Sequence, residues 1–141
     1  MARSLRPTTF RAIRKEDPRG QLVGKYNLAR LRTLFLAGER CDPDTLLWAE
    51  AVLGVPVIDH WWQTETGWCI AGNPLGLGAL PVKHGSPTVA MPGYDVRIVD
   101  EAGCPCEPGM IGNIQVRGDN VFSGYWRMPE KTKAEFRDDG F

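Results

Sequence analysis

No stretch of this chain approaches the ~18 consecutive apolar residues of a membrane-spanning helix, and Met1-Ala2-Arg3-Ser4 leads into no signal-type apolar core. Charge of one sign is also missing. Lysine plus arginine number 17 and aspartate plus glutamate 17, so no global field favours nucleic acid or an anionic membrane. The one basic cluster, Arg3, Arg6, Arg11, Arg14 and Lys15, reads as a solvated helix face. Cysteine is sparse: Cys41, Cys69, Cys104 and Cys106 lack paired metal spacing, and Cys104-Pro105-Cys106 has no neighbouring His or second pair to close a zinc site. They read as free thiols of a reducing compartment, the cytoplasm or, in a eukaryote, the mitochondrial matrix. Glycine-rich nucleotide signatures are absent, which leaves neither P-loop nor Rossmann chemistry supported. His60 and His84 have no serine or cysteine partner at suggestive spacing, so both read as structural.

What is present is globular. Hydrophobic residues make up 43% and charged residues 24%, and 141 residues suffice for one modest domain or for part of a larger one. Pro7-Thr8-Thr9 before Phe10 to Lys15 predicts a short threonine-capped helix, ended by Asp17-Pro18. Leu28 to Leu31 reads as a helical turn. Thr33-Leu34-Phe35-Leu36-Ala37 is a continuous apolar run of strand length, the pattern of a strand buried on both faces. Asp42-Pro43 then supplies an N-cap and a proline at N1. Leu46, Leu47, Ala49, Val52 and Leu53 form an apolar side, and Gly54 ends the helix. Val55-Pro56-Val57-Ile58 is the next strand. Strand, short helix and strand make a βαβ unit, whose strands should be parallel and whose crossover right-handed.

The segments leaving these two strands, Gly38-Glu39-Arg40 and Asp59-His60-Trp61-Trp62-Gln63-Thr64-Glu65-Thr66-Gly67, therefore open on one sheet edge, where α/β sheets bind ligands. Residues 71–93 are rich in glycine and proline and read as a long connection. Asp95 to Asp100 and Gly112 to Arg117 alternate polar and apolar as half-buried antiparallel strands, and Met128-Pro129-Glu130 opens a last helix through Phe136. The organisation expected is thus residues 1–70 as part of an α/β nucleotide-binding unit, 71–92 as connection and 93–141 as a small antiparallel β subdomain. The chain opens without an obvious first element and stops at a turn, so the remainder of the polypeptide is expected.

The chemistry of that edge is coherent. Gly38 lets a flat ring approach the backbone, and the Arg40 guanidinium or its stem packs on such a ring. Thr64 and Glu65 offer hard oxygens suited to magnesium and phosphate, while Trp62 is a rigid apolar wall. Adenine, phosphate with magnesium, and a small apolar group form a consistent ligand set.

Trp61-Trp62-Gln63-Thr64-Glu65-Thr66-Gly67, together with Phe35 to Arg40, Phe10 to Pro18 and Gly93-Tyr94-Asp95-Val96, resembles the short-chain acyl-CoA synthetases of the adenylate-forming superfamily, the propionyl-CoA synthetases most. The resemblance implies an α/β fold, the parallel portion of an adenylate-forming N-terminal domain followed by the antiparallel subdomain. It also implies ATP, Mg2+ and coenzyme A as partners of a small carboxylate, propionate or acetate. By that likeness Gly38, Glu39 and Arg40 line adenine, and Asp59, His60, Trp61, Trp62, Gln63 and Thr64 wrap adenine and α-phosphate. Thr64 and Glu65 would be catalytic, with Glu65 holding magnesium. Ala37 and Trp62 would bound the acyl group, alanine in place of the valine usual in acetate enzymes leaving room for one more carbon.

The family's phosphate loop, its ribose-gripping Gly-Asp and its catalytic-lysine domain are absent from these residues, so the isolated chain is expected to be inactive. From Ile114 onward, Val116 to Thr132 resembles malonyl-CoA and longer-acyl synthetases better. That keeps open a malonyl-type or medium-chain enzyme, and a non-catalytic adenine-nucleotide-binding relic of the fold stands as the competing class.

Overall fold

The computed structural model describes residues 2–141, with side chains from Leu5 onward, so Met1 and the side chain of Arg3 lie outside the described residues. The βαβ unit forms as the apolar runs require. Strand β2 is Thr33–Leu36, helix α2 is Pro43–Leu53 and strand β3 is Val57–Asp59, with β2 and β3 parallel in the register Leu34↔Val57, Phe35↔Ile58, Leu36↔Asp59. Asp42 caps α2 by accepting the Thr45 N–H at 2.9 Å. Gly54 closes the helix in the left-handed region (φ 65°) and donates its N–H to the Glu50 carbonyl at 2.8 Å.

A strand precedes all of this. β1, Ala2–Leu5, pairs in parallel with β2 and gives the order β1-β2-β3, where the sequence suggested no first element. Helix α1, Pro7–Glu16, links β1 to β2. Two right-handed crossovers stepping the same way across a sheet place both helices on one face. Phe10 of α1 and Leu46 and Ala49 of α2 accordingly share a core with Leu34, Leu36 and Val57. The threonine cap of α1 does not form. Its N-cap is Arg6, with no side-chain bond, because Pro7 takes N1 and the Thr8 hydroxyl turns to Glu39 instead. Leu47, expected on the apolar side of α2, is 49% exposed; it follows Leu46 by one residue, which carries it off the buried face.

The basic face is not simply solvated either. Arg11 and Arg14 both reach residues of the second crossover. After α1, the buried Asp17 carboxylate accepts the N–H groups of Gln21, Leu22 and Val23 at 2.7, 2.7 and 3.1 Å. Burial pushes its pKa up, but these bonds outweigh burial and hold it below the ordinary value. The same turn needs Gly20, where an added Cβ would lie 2.7 Å from Val52 Cγ1. Leu28 to Leu31 closes as a single turn, Leu31 N–H to the Leu28 carbonyl at 2.8 Å.

Beyond β3 the chain turns antiparallel sooner than the sequence implied. Trp61–Trp62 (β4), Cys69–Gly72 (β5) and Val89–Ala90 (β6) form a small sheet in that order, so the segment read as a loop is a hairpin. Within the glycine- and proline-rich stretch, Asn73 is buried and its side-chain amide exchanges two hydrogen bonds with the Leu80 backbone, at 2.6 and 3.0 Å. Tyr94–Val99 (β7) and Asn113–Gly118 (β8) pair along their whole length, and helix α3 is Pro129–Glu135.

Candidate active site

The parallel register sets the C-terminal ends of β2 and β3 side by side, so the segment after β2 meets Asp59 and His60 at the end of β3. The Cys41 N–H reaches Asp59 Oδ2 at 3.4 Å, and the His60 N–H donates to the Leu36 carbonyl at 3.0 Å. Gly38 has φ 95°, a conformation that strains any residue bearing a Cβ.

Glu39 is arranged differently from a side chain lining a ligand. Its carboxylate accepts the Thr8 N–H at 2.7 Å and the Thr8 hydroxyl, and pairs with Arg11 at 3.1 Å. These bonds, Thr8 first, hold its pKa below the ordinary value against burial. Arg11 also bonds Asp42 at 3.1 Å and the Arg40 carbonyl at 3.0 Å, so one guanidinium fixes three successive parts of the loop. Over Gly38 lies the Arg6 side chain, whose Cγ is 3.7 Å from where a Cβ would stand. The Arg40 guanidinium extends toward the Gly85 carbonyl, 3.5 Å away, rather than folding over Gly38.

Asp59 is buried, and burial raises its pKa, opposed by the Cys41 and His60 N–H groups and by the charges of His60 and Arg40. His60 packs edge-on against Phe35 with ring centroids 5.5 Å apart. Burial lowers its pKa, so the ring is neutral near pH 7, and its Nδ1 is buried with no hydrogen-bond partner among the described residues. An orphaned ring nitrogen at a strand end is a group awaiting a partner.

By strand alternation Phe35 and Ala37 share the sheet face opposite the helices. On that face lies a cleft of about 810 Å³, walled by Phe35, His60, Trp62, Trp68, Leu75 and Met91 among others. Trp62 lines it and is 47% exposed, whereas Ala37 is buried at the end of β2 and is not part of the lining. Trp61 pairs with Ala71, and Gln63 and Thr64 are exposed at the hairpin. Thr66 is the internal pin: its hydroxyl lies 3.0 Å from the Gln63 carbonyl and 3.1 Å from that of Trp68.

Residues 4–126 match the family described as AMP-binding enzyme. The chain belongs to that family. Among its relatives, the human acyl-CoA synthetase short-chain family member 3, mitochondrial, is 44% identical over 131 residues, covering 90% of this chain and 19% of the relative. The propionate–CoA ligase of Escherichia coli (strain K12) is 42% identical over 113 residues, 79% of this chain and 18% of the relative. Among solved structures, ATP-bound MatB from Rhodopseudomonas palustris superposes with a TM-score of 0.83 at 35% identity, covering all of this chain and 27% of that one. The chain therefore spans about a fifth of the length of its curated relatives. The fold expected from the sequence is the one found.

The donor set for an AMP-binding site fits in part. Thr64 and Glu65 provide hard oxygens, but no group of three or more His, Cys, Asp or Glu gathers among the described residues. A divalent cation here would take most of its ligands from phosphate and water, the usual habit of magnesium. Three contacts to this hairpin were not visible in the sequence. The Phe122 N–H donates to the Glu65 carbonyl at 2.7 Å, the Tyr125 hydroxyl to Glu65 Oε1 at 3.0 Å, and the Tyr94 hydroxyl to the Thr66 carbonyl at 3.1 Å. Nothing local marks these partners. Tyr94 and Tyr125 are separated from the hairpin by 28 and 60 positions.

Proposed function

We propose that this chain is part of an ATP-dependent, AMP-forming acyl-CoA synthetase of short carboxylates. A carboxylate oxygen attacks the α-phosphorus, the bond to pyrophosphate breaks, and the coenzyme A thiol then displaces AMP to leave a thioester. The observation that supports this reading is the parallel pairing of β2 and β3, which brings Cys41 to Asp59, with an apolar cleft walled by His60 and Trp62 on the adjoining face. Asp59 through Thr64 wrap adenine and α-phosphate, Thr64 donates to the phosphate, and Glu65 holds magnesium. Bound there, magnesium neutralises charge developing on the phosphate. The names of the human and Escherichia coli relatives support the reaction class.

Propionate is the favoured substrate over acetate. The residues this chain contributes to the cleft include no lysine or arginine for the second carboxylate of malonate, which favours the monocarboxylate reading. No helix among the described residues is long and apolar enough to cross a membrane, and we place the reaction in the cytoplasm or the mitochondrial matrix.

Calorimetry of this chain with AMP tests the reading directly. Weak binding abolished by Asp59→Ala supports it, and wild-type chain with no affinity overturns the nucleotide assignment. The chain alone should release no AMP from ATP with propionate and coenzyme A. Ala37 lies outside the cleft lining of this chain alone; where it borders the acyl group in the whole enzyme, Ala37→Val should lower the propionate/acetate ratio of kcat/KM by roughly 10-fold, since one methylene is worth ~1–3 kcal/mol. An unchanged ratio removes Ala37 from acyl selection.

A further inference from the structure

Glu65 is held by residues remote from it in sequence. Its backbone carbonyl accepts the Phe122 N–H, and one carboxylate oxygen, Oε1, accepts the Tyr125 hydroxyl. Tyr125 is itself built in. Its N–H donates to Thr132 Oγ1 at 2.9 Å at the start of α3, its ring meets Phe122 edge-on at 4.7 Å, and Lys131 Nζ lies 4.0 Å above it. Gly124 permits that approach, for an added Cβ would sit 2.6 Å from Thr132 Cγ2. Phe136 stacks on Phe122 at 5.5 Å and closes the cluster. A rigid aromatic group, anchored on the last helix, thus presents one hydroxyl to the one carboxylate of the Thr64-Glu65-Thr66 segment.

We propose that Tyr125 is the positioning residue of Glu65: it occupies Oε1 and leaves Oε2 directed to a phosphate-bound divalent cation. This rests on the reading of Glu65 as the magnesium ligand and deepens it. An outer partner that occupies one oxygen of a ligating carboxylate fixes which lone pairs meet the metal, and losing it weakens metal binding without touching the metal.

The test uses this chain joined to the remainder of its polypeptide, with Mn2+ as spectroscopic probe of the ATP-loaded protein, and AMP affinity measured without metal. Mn2+ affinity should fall by about tenfold in Tyr125→Phe, with AMP affinity and the unfolding midpoint unchanged. In a Glu65→Gln background the same substitution should have no further effect on Mn2+. Loss of Mn2+ affinity in Glu65→Gln with none in Tyr125→Phe overturns the positioning role and leaves the metal ligand standing. Wild type and Glu65→Gln that bind Mn2+ alike overturn the role of Glu65, and this inference with it. A Tyr125→Phe loss that persists undiminished in the Glu65→Gln background shows that the tyrosine acts through something other than Glu65, which also overturns it.

Discussion

Asp42 joins the fold to the candidate site, and replacing it should weaken both. It caps α2 through Thr45 and pairs with Arg11 at 3.1 Å, the arginine that also holds Glu39 and the Arg40 carbonyl. The Thr45 N–H is the largest cause of a pKa lowered from 3.8 to about 2, with the Thr45 hydroxyl and Arg11 adding to it and burial opposing it. Converted directly, that depression corresponds to about 2.5 kcal/mol. The side chain is 45% exposed, and solvent screening reduces the contribution to about 1 kcal/mol. Loss of an N-cap independently costs about 1 kcal/mol, so the two routes agree on scale.

Asp42→Ala should therefore lower the unfolding free energy by about 1 kcal/mol at neutral pH, read by urea denaturation. Asp42→Asn, which keeps an oxygen for the Thr45 N–H, should cost about half as much. The pH dependence has a definite sign. A carboxyl whose folded pKa is depressed contributes stability that is complete above its unfolded value, near 4, and lost as pH falls through the folded one, near 2. The gap between wild type and Asp42→Ala should narrow across that interval. A gap of the same size at neutral pH and near pH 2, or an asparagine variant as unstable as the alanine one, would refute the reasoning.

Two further outcomes follow from burial. Tyr94→Phe removes a buried donor from the Thr66 carbonyl and should cost about 1–2 kcal/mol, and an unchanged urea midpoint would show that the hairpin is not held from β7. Burial raises the thiols of Cys41 and Cys69 to about 11, so timed labelling with a disulfide reagent near pH 8 should modify exposed Cys104 first, half-buried Cys69 more slowly and buried Cys41 only on unfolding. Cys41 labelled as fast as Cys104 would contradict the packing of the α1–α2 core.

The legible parts of this fold were those written in local chemistry. Leu34 to Leu36, the Asp42-Pro43 start and the Gly54 stop each specify their element without help, and once the strands are parallel the neighbouring of their C-terminal ends follows. β1 was not legible because Ala2-Arg3-Ser4-Leu5 has no apolar pattern of its own, and its bonds to β2 make it a strand. Trp61 and Trp62 make too short a strand to show a period. The direction of the Glu39 carboxylate, toward α1, depends on how α1 packs, and the Tyr125–Glu65 bond spans 60 positions. Contacts of that separation leave no mark in any window of sequence.

Asp17 and Asp59 show how the structure separates scaffold from site where the sequence could not. Both are almost equally buried, at 5% and 8% exposure. Asp17 accepts three backbone N–H groups and titrates below its ordinary value, so its charge stabilises the fold. Asp59 has a long N–H contact from Cys41 and help from the His60 N–H, but burial outweighs both and raises its pKa, so its stability contribution falls as pH rises from the unfolded value toward the folded one. Beside it His60 holds a buried nitrogen with no partner. A packed scaffold satisfies such groups, as this one does at Asp17 and Asn73. The pair stands at the C-terminal end of β3, Asp59 beside the backbone of Cys41 and His60 on the wall of the apolar cleft.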